Sequence, residues 1–144
     1  MERRAFIKQG CMTCLALAGA GALLSLEGCA SLPVVKVEAA EDARTIAVPV
    51  ASIGPEGMAI VRSRSLSNDI LVVRNAEGAY DALLMRCTHQ DQPLTATRSG
   101  LHCSSHGSGF DLKGNVLLGP AERSLTRYPV TILSDRSVIS IRTS

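Results

Sequence analysis

Two short stretches constrain this chain more than any others: Cys87-Thr88-His89 and, after a gap of thirteen residues, Cys103-Ser104-Ser105-His106. Cysteine offers a thiolate and histidine a neutral imidazole, and both are ligands for transition metals. Each stretch is a Cys/His pair at ligand spacing. A fold that uses the two together must carry them on two loops that close over one site from opposite sides.

The residues around these stretches read as β-structure. Runs rich in β-branched and aliphatic residues occur at Thr45 to Val50, Met58 to Val61, Ile70 to Arg74, Ala79 to Met85, Leu125 to Thr131 and Val138 to Ile141, punctuated by Gly, Pro, Asn, Asp and Ser. Tight turns at Asn75-Ala76-Glu77-Gly78, Asp111-Leu112-Lys113-Gly114-Asn115 and Ser134-Asp135-Arg136-Ser137 fit hairpins. No segment after residue 30 carries a 3.6-residue period, so the expectation is an all-β domain of small antiparallel sheets over 44–144, without internal repeats. A domain of about a hundred residues has a marginal core, and a bound metal would add folding energy directly.

The N-terminus has a different character. Met1-Glu2-Arg3-Arg4-Ala5-Phe6-Ile7-Lys8 leads into an apolar segment from Cys11 to Leu26 that has no polar face. It resembles a twin-arginine export signal, with Glu2 where Ser or Thr is usual. Leu26-Glu27-Gly28-Cys29 resembles a lipobox, in which the chain is cut before the cysteine and a lipid is attached to its thiol; Glu27 is atypical of it. An uncleaved anchor and cleavage after Ala30 are the alternatives, and all three place the protein outside the cytoplasm. The reading is a signal over 1–28, a tether over 29–43 and the domain beyond, with the protein on the periplasmic side, anchored to the membrane through Cys29. Cys11 and Cys14 fall within the apolar run, where a Cys-x-x-Cys spacing is best explained by chance.

Charge excludes some partners. Of 15 basic and 13 acidic residues, three and two precede Cys29, which leaves 12 against 11. Near-neutrality points away from nucleic acid. So does the scarcity of aromatic residues: two Phe, two Tyr and no Trp offer no base-stacking platform.

Without the signal and with Cys29 lipidated, Cys87 and Cys103 are the only thiols left. On the residues alone they can form a disulfide with each other, join the histidines around a tetrahedral zinc, or bind an iron–sulfur group. The surrounding order is informative: Cys87-Thr88-His89, Cys103-x-x-His106-Gly107-Ser108, Phe110-Asp111, Gly114 and Gly119-Pro120-Ala121. Over roughly residues 44 to 142 this resembles the Rieske family. The resemblance implies one [2Fe–2S] cluster, with Cys87 and Cys103 on the inner iron and His89 and His106 on the outer, exposed iron. Two ferric ions, two sulfides and two thiolates sum to zero charge, where four thiolates would leave −2. An electron is therefore accepted more readily, and potentials lie in a window of roughly −150 to +300 mV. Exposed histidines also give the electron a short exit, and their outer nitrogens can lose protons.

The resemblance extends to residues that tune the cluster. Ser108 matches a serine whose hydroxyl donates to a bridging sulfide, and Gly119-Pro120 resembles a proline loop covering the cluster from a third side. Phe110 stands where respiratory members carry a tyrosine that donates to a ligand sulfur. Gln92 and Ser105 occupy the positions of two cysteines that form a loop-bracing disulfide in those members, and the loop between His89 and Cys103 is slightly shorter. His102, beside Cys103, should point away from the cluster by strand alternation.

The implied function is one-electron transfer by a membrane-tethered, extracytoplasmic protein, between a quinol- or substrate-oxidising complex and an acceptor such as a cytochrome c. The alternatives are a subunit of a larger oxidoreductase, of the cytochrome bc or arsenite oxidase kind, and a ferredoxin component of a ring-hydroxylating dioxygenase, against which the export signal argues. The chain is too short for the mononuclear iron domain of an oxygenase. A zinc-stabilised structural module is the reading from outside electron transfer.

Overall fold

The alternation of short aliphatic runs with turn residues becomes a set of short strands in the computed structural model, which describes residues 31–38 and 44–144. The expected signal, Cys29, Ala30 and residues 39–43 of the expected tether lie outside the described residues. The strands are β1 (Val34–Lys36), β2 (Thr45–Pro49), β3 (Met58–Arg62), β4 (Ile70–Arg74), β5 (Tyr80–Leu84), β6 (Thr95–Ala96), β7 (Leu101–His102), β8 (Gly109–Phe110), β9 (Val116–Leu118), β10 (Arg127–Tyr128), β11 (Val130–Ile132) and β12 (Val138–Arg142). They form sheets in the orders β1-β3-β4-β5-β10, β11-β12-β2 and β6-β7-β8-β9. Among the described residues the only helical element is the 3-10 turn Val50–Ser52, and no helix is long and apolar enough to cross a membrane. The class is the all-β one expected.

Strand β4 explains how so small a domain holds together. Its run Ile70-Leu71-Val72-Val73 is buried throughout because both faces of the strand are covered. Side chains alternate between the faces. Leu71 and Val73 enter a core that contains Met58, Leu83, Met85, Phe110, Leu125, Cys87 and Cys103. Ile70 and Val72 enter a second core with Ile46, Val48, Val61, Ala82, Ile139 and Ile141, against the β2–β11–β12 sheet. The two cysteines thus belong to the wall of one core, and β4 separates that core from the other.

The hairpin turns form where expected, and two use one device. At the β4–β5 turn the Asn75 side-chain oxygen accepts the N–H groups of Glu77 (3.2 Å) and Ala79 (3.0 Å), with Gly78 at φ 81°. At the β8–β9 turn Asp111 Oδ1 accepts Lys113 and Asn115 N–H, both at 2.8 Å, with Gly114 at φ 82°. In each the short polar side chain substitutes for a backbone acceptor, and glycine takes the left-handed position without a Cβ penalty.

Three features differ from the sequence reading. Val34–Lys36, assigned to the tether, form β1, which pairs with β3 in parallel (Val34↔Ile60, Lys36↔Arg62); the other strand pairs are antiparallel. Valine-rich composition suits an edge strand, and Pro33, just before it, contributes a carbonyl to Ile60 N–H at 2.8 Å. The run Leu125 to Thr131 is not one strand. It divides at Pro129, which has no N–H for a ladder, into β10 on the β5 edge and β11 on the β12 edge. Between residues 85 and 125, the short strands β6 to β9 form a sheet of their own, and this sheet carries the second Cys/His loop.

Candidate metal centre

The first Cys/His stretch follows β5. An Arg86↔Pro93 bridge closes its base, the Cys87 N–H donates to Gln92 O (2.7 Å), and the Cys87 carbonyl accepts Asp91 N–H (2.9 Å). The second lies between β7 and β8. There the Cys103 N–H donates to Ser108 O (2.8 Å), and the Cys103 carbonyl accepts Gly107 N–H (2.9 Å). The two loops are built alike: the cysteine N–H reaches the carbonyl five residues on, and its carbonyl takes the N–H four residues on. The residue four on is left-handed in both, Asp91 at φ 57° and Gly107 at φ 82°. Glycine adopts that region freely, whereas aspartate is strained there. Asp91 gains an ion pair with Arg86 (2.8 Å). One frame thus presents Cys-x-His on one side and Cys-x-x-His on the other.

Within this frame the four candidate ligands sort into two pairs. Cys87 and Cys103 are 0% and 1% exposed, and neither is in a disulfide. His89 and His106 are exposed, with ring centroids 5.1 Å apart and planes at 89°. Burial pushes the Cys103 thiol up, but backbone N–H groups of His106 and Ser105, with further bonds from the Cys87 and Ser105 side chains, outweigh it and hold the thiol below its usual range. The loop is therefore built to favour a thiolate, the form that binds metal. Among the described residues no three His, Cys, Asp or Glu side chains converge on one ion position. Two thiols facing inward and two imidazoles facing outward suit a binuclear iron–sulfur unit, whose irons take two protein ligands each.

The expected covering segment follows β9. Gly119 and Pro120 are exposed and joined by a cis peptide bond. Ala121 N–H donates to Ser108 Oγ at 3.0 Å, and Ser108 is 0% exposed. Because that oxygen accepts, the hydroxyl hydrogen is left available for a donor role. Phe110, 1% exposed, pairs with Leu101 across β7–β8 and packs in the core that contains both cysteines. Gln92 contributes its backbone carbonyl to Cys87, and Ser105 its backbone N–H towards Cys103. His102 is exposed while its neighbours Leu101 and Cys103 are buried, as strand alternation requires.

The sequence reading missed one contact altogether. Thr88, between the two candidate ligands of the first loop, donates from Oγ1 to the Arg123 carbonyl at 2.6 Å. Arg123 Nη2 returns a bond to the Thr88 carbonyl at 3.3 Å. These residues are 35 positions apart, and nothing in their local sequence links them. A cleft of about 270 Å³ borders the contact, lined by Arg86, Cys87, Thr88, Asp91, Arg123 and Ser124 among others.

Comparison with known proteins identifies the family. The family model described as the Rieske [2Fe-2S] domain matches residues 45–129. The cytochrome b6-f complex iron-sulfur subunit of Synechococcus elongatus is 34% identical over 73 residues, 49% of this chain and 41% of the relative. The same subunit from a second Synechococcus strain matches equally. The chain thus spans about two fifths of the length of these curated relatives. Among solved structures, the cyanobacterial plasma membrane Rieske protein PetC3 from Synechocystis PCC 6803 superposes with a TM-score of 0.55 at 25% identity, covering 65% of this chain and 94% of that one. The quaternary ammonium Rieske monooxygenase CntA, at 16% identity and TM-score 0.55, covers 70% of this chain and 32% of its own and shares the fold. With the family match extending over more than half of its length, the chain belongs to the Rieske [2Fe–2S] domain family, whose members bind one [2Fe–2S] cluster.

Proposed function

We propose that Cys87 and Cys103 hold the inner iron, and His89 and His106 the outer iron, of a [2Fe–2S] cluster through which this protein passes one electron at a time. The observation that carries the reading is the sorting of four ligands on two matched loops, with both thiols in the core wall and both imidazoles 5.1 Å apart at the surface. The cluster supplies the one-electron chemistry when bound. The chain's part is to bury the sulfur side, to aim a serine hydroxyl from Ser108 and the Gly119-Pro120 segment at the cofactor, and to leave the imidazoles accessible to a redox partner such as a cytochrome c. The purified full chain should be red-brown, and its reduced form should give the low average g-value of mixed Cys/His ligation. Replacing any one of the four ligands should abolish both. A colourless protein containing zinc would overturn the assignment.

The protein is placed by this reading outside the cytoplasm, exported through Arg3 and Arg4 by residues 1–28 and tethered to the membrane at Cys29. An assembled cluster would require passage in the folded state, which suits a twin-arginine signal. Changing Arg3 and Arg4 to lysine should strand the protein inside the cell, and Cys29→Ser should release it from the membrane or block processing. Unchanged export or unchanged anchoring would remove the respective feature.

A second reading, a subunit of a larger oxidoreductase, is favoured by the match to cytochrome b6-f iron-sulfur subunits. Purification from native membranes through a tag on Ser144 distinguishes them, since a subunit brings stoichiometric partners with it and a free carrier does not.

A further inference from the structure

The geometry points to Thr88 and Arg123 as positioning residues that lock the first ligand loop to the proline segment, so that residues 121–123 brace both ligand loops. The inference rests on the ligand assignment above and extends it to two residues that carry no ligand.

Three observations support it. First, the Thr88–Arg123 contact is reciprocal: the threonine side chain bonds the arginine backbone at 2.6 Å, and the arginine side chain bonds the threonine backbone at 3.3 Å. Each residue thus fixes the other's main chain, and one of those main chains lies between Cys87 and His89. Second, the same short segment holds the other loop two residues earlier, through Ala121 N–H to the buried Ser108 Oγ at 3.0 Å. Residues 121–123 therefore bond the main chain or side chain of both loops, which also meet through Cys87 and Cys103 and through the His89–His106 ring contact. Third, Gln92 and Ser105 offer no sulfurs with which to join the loops directly, and the described cysteines are free.

The individual bonds differ in weight. Thr88 is half-buried and its bond is short, whereas Arg123 is exposed and its side-chain bond is long, so the hydroxyl should carry most of the effect. Loosening this brace would free the peptide that links an inner to an outer ligand, opening the cluster to water and chelator. The ligands themselves stay intact, and the cluster should assemble and then be lost sooner.

The test follows bleaching of the visible absorbance of the full-length holoprotein in excess chelator, together with the g-values of its reduced form. Thr88→Val should bleach about fivefold faster, the size of one modest hydrogen bond, and Thr88→Ser should restore the wild-type rate. Arg123→Ala should accelerate loss about twofold, and the double variant should be no faster than Thr88→Val, because the two bonds act as a unit. The g-values should shift in Thr88→Val and remain unchanged in Thr143→Val, which removes a threonine hydroxyl bonded to the Arg44 carbonyl beside the β2–β12 pair. A Thr88→Val protein with wild-type bleaching and g-values, a Thr88→Ser protein that bleaches as fast as Thr88→Val, or fully multiplicative rates in the double variant would overturn the brace. A wild type without visible colour would instead overturn the ligand assignment on which the brace depends, so the two failures are distinguishable.

Discussion

Ser108→Ala should produce two separable effects, because Ser108 has two tasks. Its Oγ is the acceptor for Ala121 N–H at 3.0 Å, and both residues are buried, at 0% and 4% exposure. Removing the oxygen leaves a buried N–H without a partner, which costs about 1–3 kcal/mol. For a domain of this size each kcal/mol lowers the melting temperature by about 4–8 °C, so a drop on the order of 10 °C is expected. The second effect concerns the potential. The hydroxyl hydrogen, not used towards Ala121, would donate to a cluster sulfide on the proposed reading. A donor aimed at sulfur stabilises the reduced state more than the oxidised, since reduction adds negative charge there. A differential of about 1 kcal/mol corresponds to roughly 40 mV, at about 59 mV per tenfold change for a one-electron couple. Calorimetry and film voltammetry of the same holoprotein read the two effects independently. A lower melting temperature with an unmoved potential would refute the sulfide bond, and an unmoved melting temperature would refute the tie to Ala121.

Other variants probe different parts of the structure. Phe110→Tyr adds a hydroxyl within the core that contains both cysteines and, if the resemblance carries over, should raise the potential by about 40 mV on the same scale; voltammetry showing no rise with the fold intact would mean that the tyrosine's tuning does not transfer to this chain. Gly100→Ala sets a methyl group against the Phe110 carbonyl, a backbone atom that cannot swing aside, and should cost about 2–3 kcal/mol in denaturant unfolding. For Asp111, burial raises the pKa, but Asn115 and Lys113 outweigh it and hold the carboxyl below its usual range. A depressed folded-state pKa contributes stability above the ordinary carboxylate range and loses it as pH falls through the folded value. Asp111→Ala should therefore be about 1–2 kcal/mol less stable than wild type at neutral pH, with the gap closing in strong acid; a gap independent of pH would mean that the carboxylate charge is not what holds the turn.

The two Cys/His pairs proposed as ligands stand out in the sequence because their chemistry is local: few residue types bind metal, and the spacing within each pair spans a single loop. Strand β4 was legible because four consecutive buried aliphatic residues have no other simple explanation. Strands β6, β7 and β8 were not, since two residues cannot display an alternation. β1 escaped because its partner β3 lies 26 positions on (Val34↔Ile60) and its neighbourhood mixes proline with charges. The left-handed Asp91 was hidden as well. Gly107 announces its turn by residue type, but the matching position in the first loop holds an aspartate whose conformation is set by backbone closure and by Arg86. The Thr88–Arg123 contact depends on the path of the chain through β6 to β9, and no local pattern encodes it.

The burial of both cysteines behind two exposed histidines has a kinetic consequence. If the cluster sits as proposed, with the buried cysteines on the inside and the exposed histidines on the outside, donor and acceptor would both approach it through the imidazoles and would use them in turn. On that proposal the protein would work as a shuttle with mutually exclusive docking, charged at one partner and discharged at another after letting go of the first. Turnover should pass through an optimum as the donor concentration rises, because an oversupply of donor occupies the same opening that the acceptor needs.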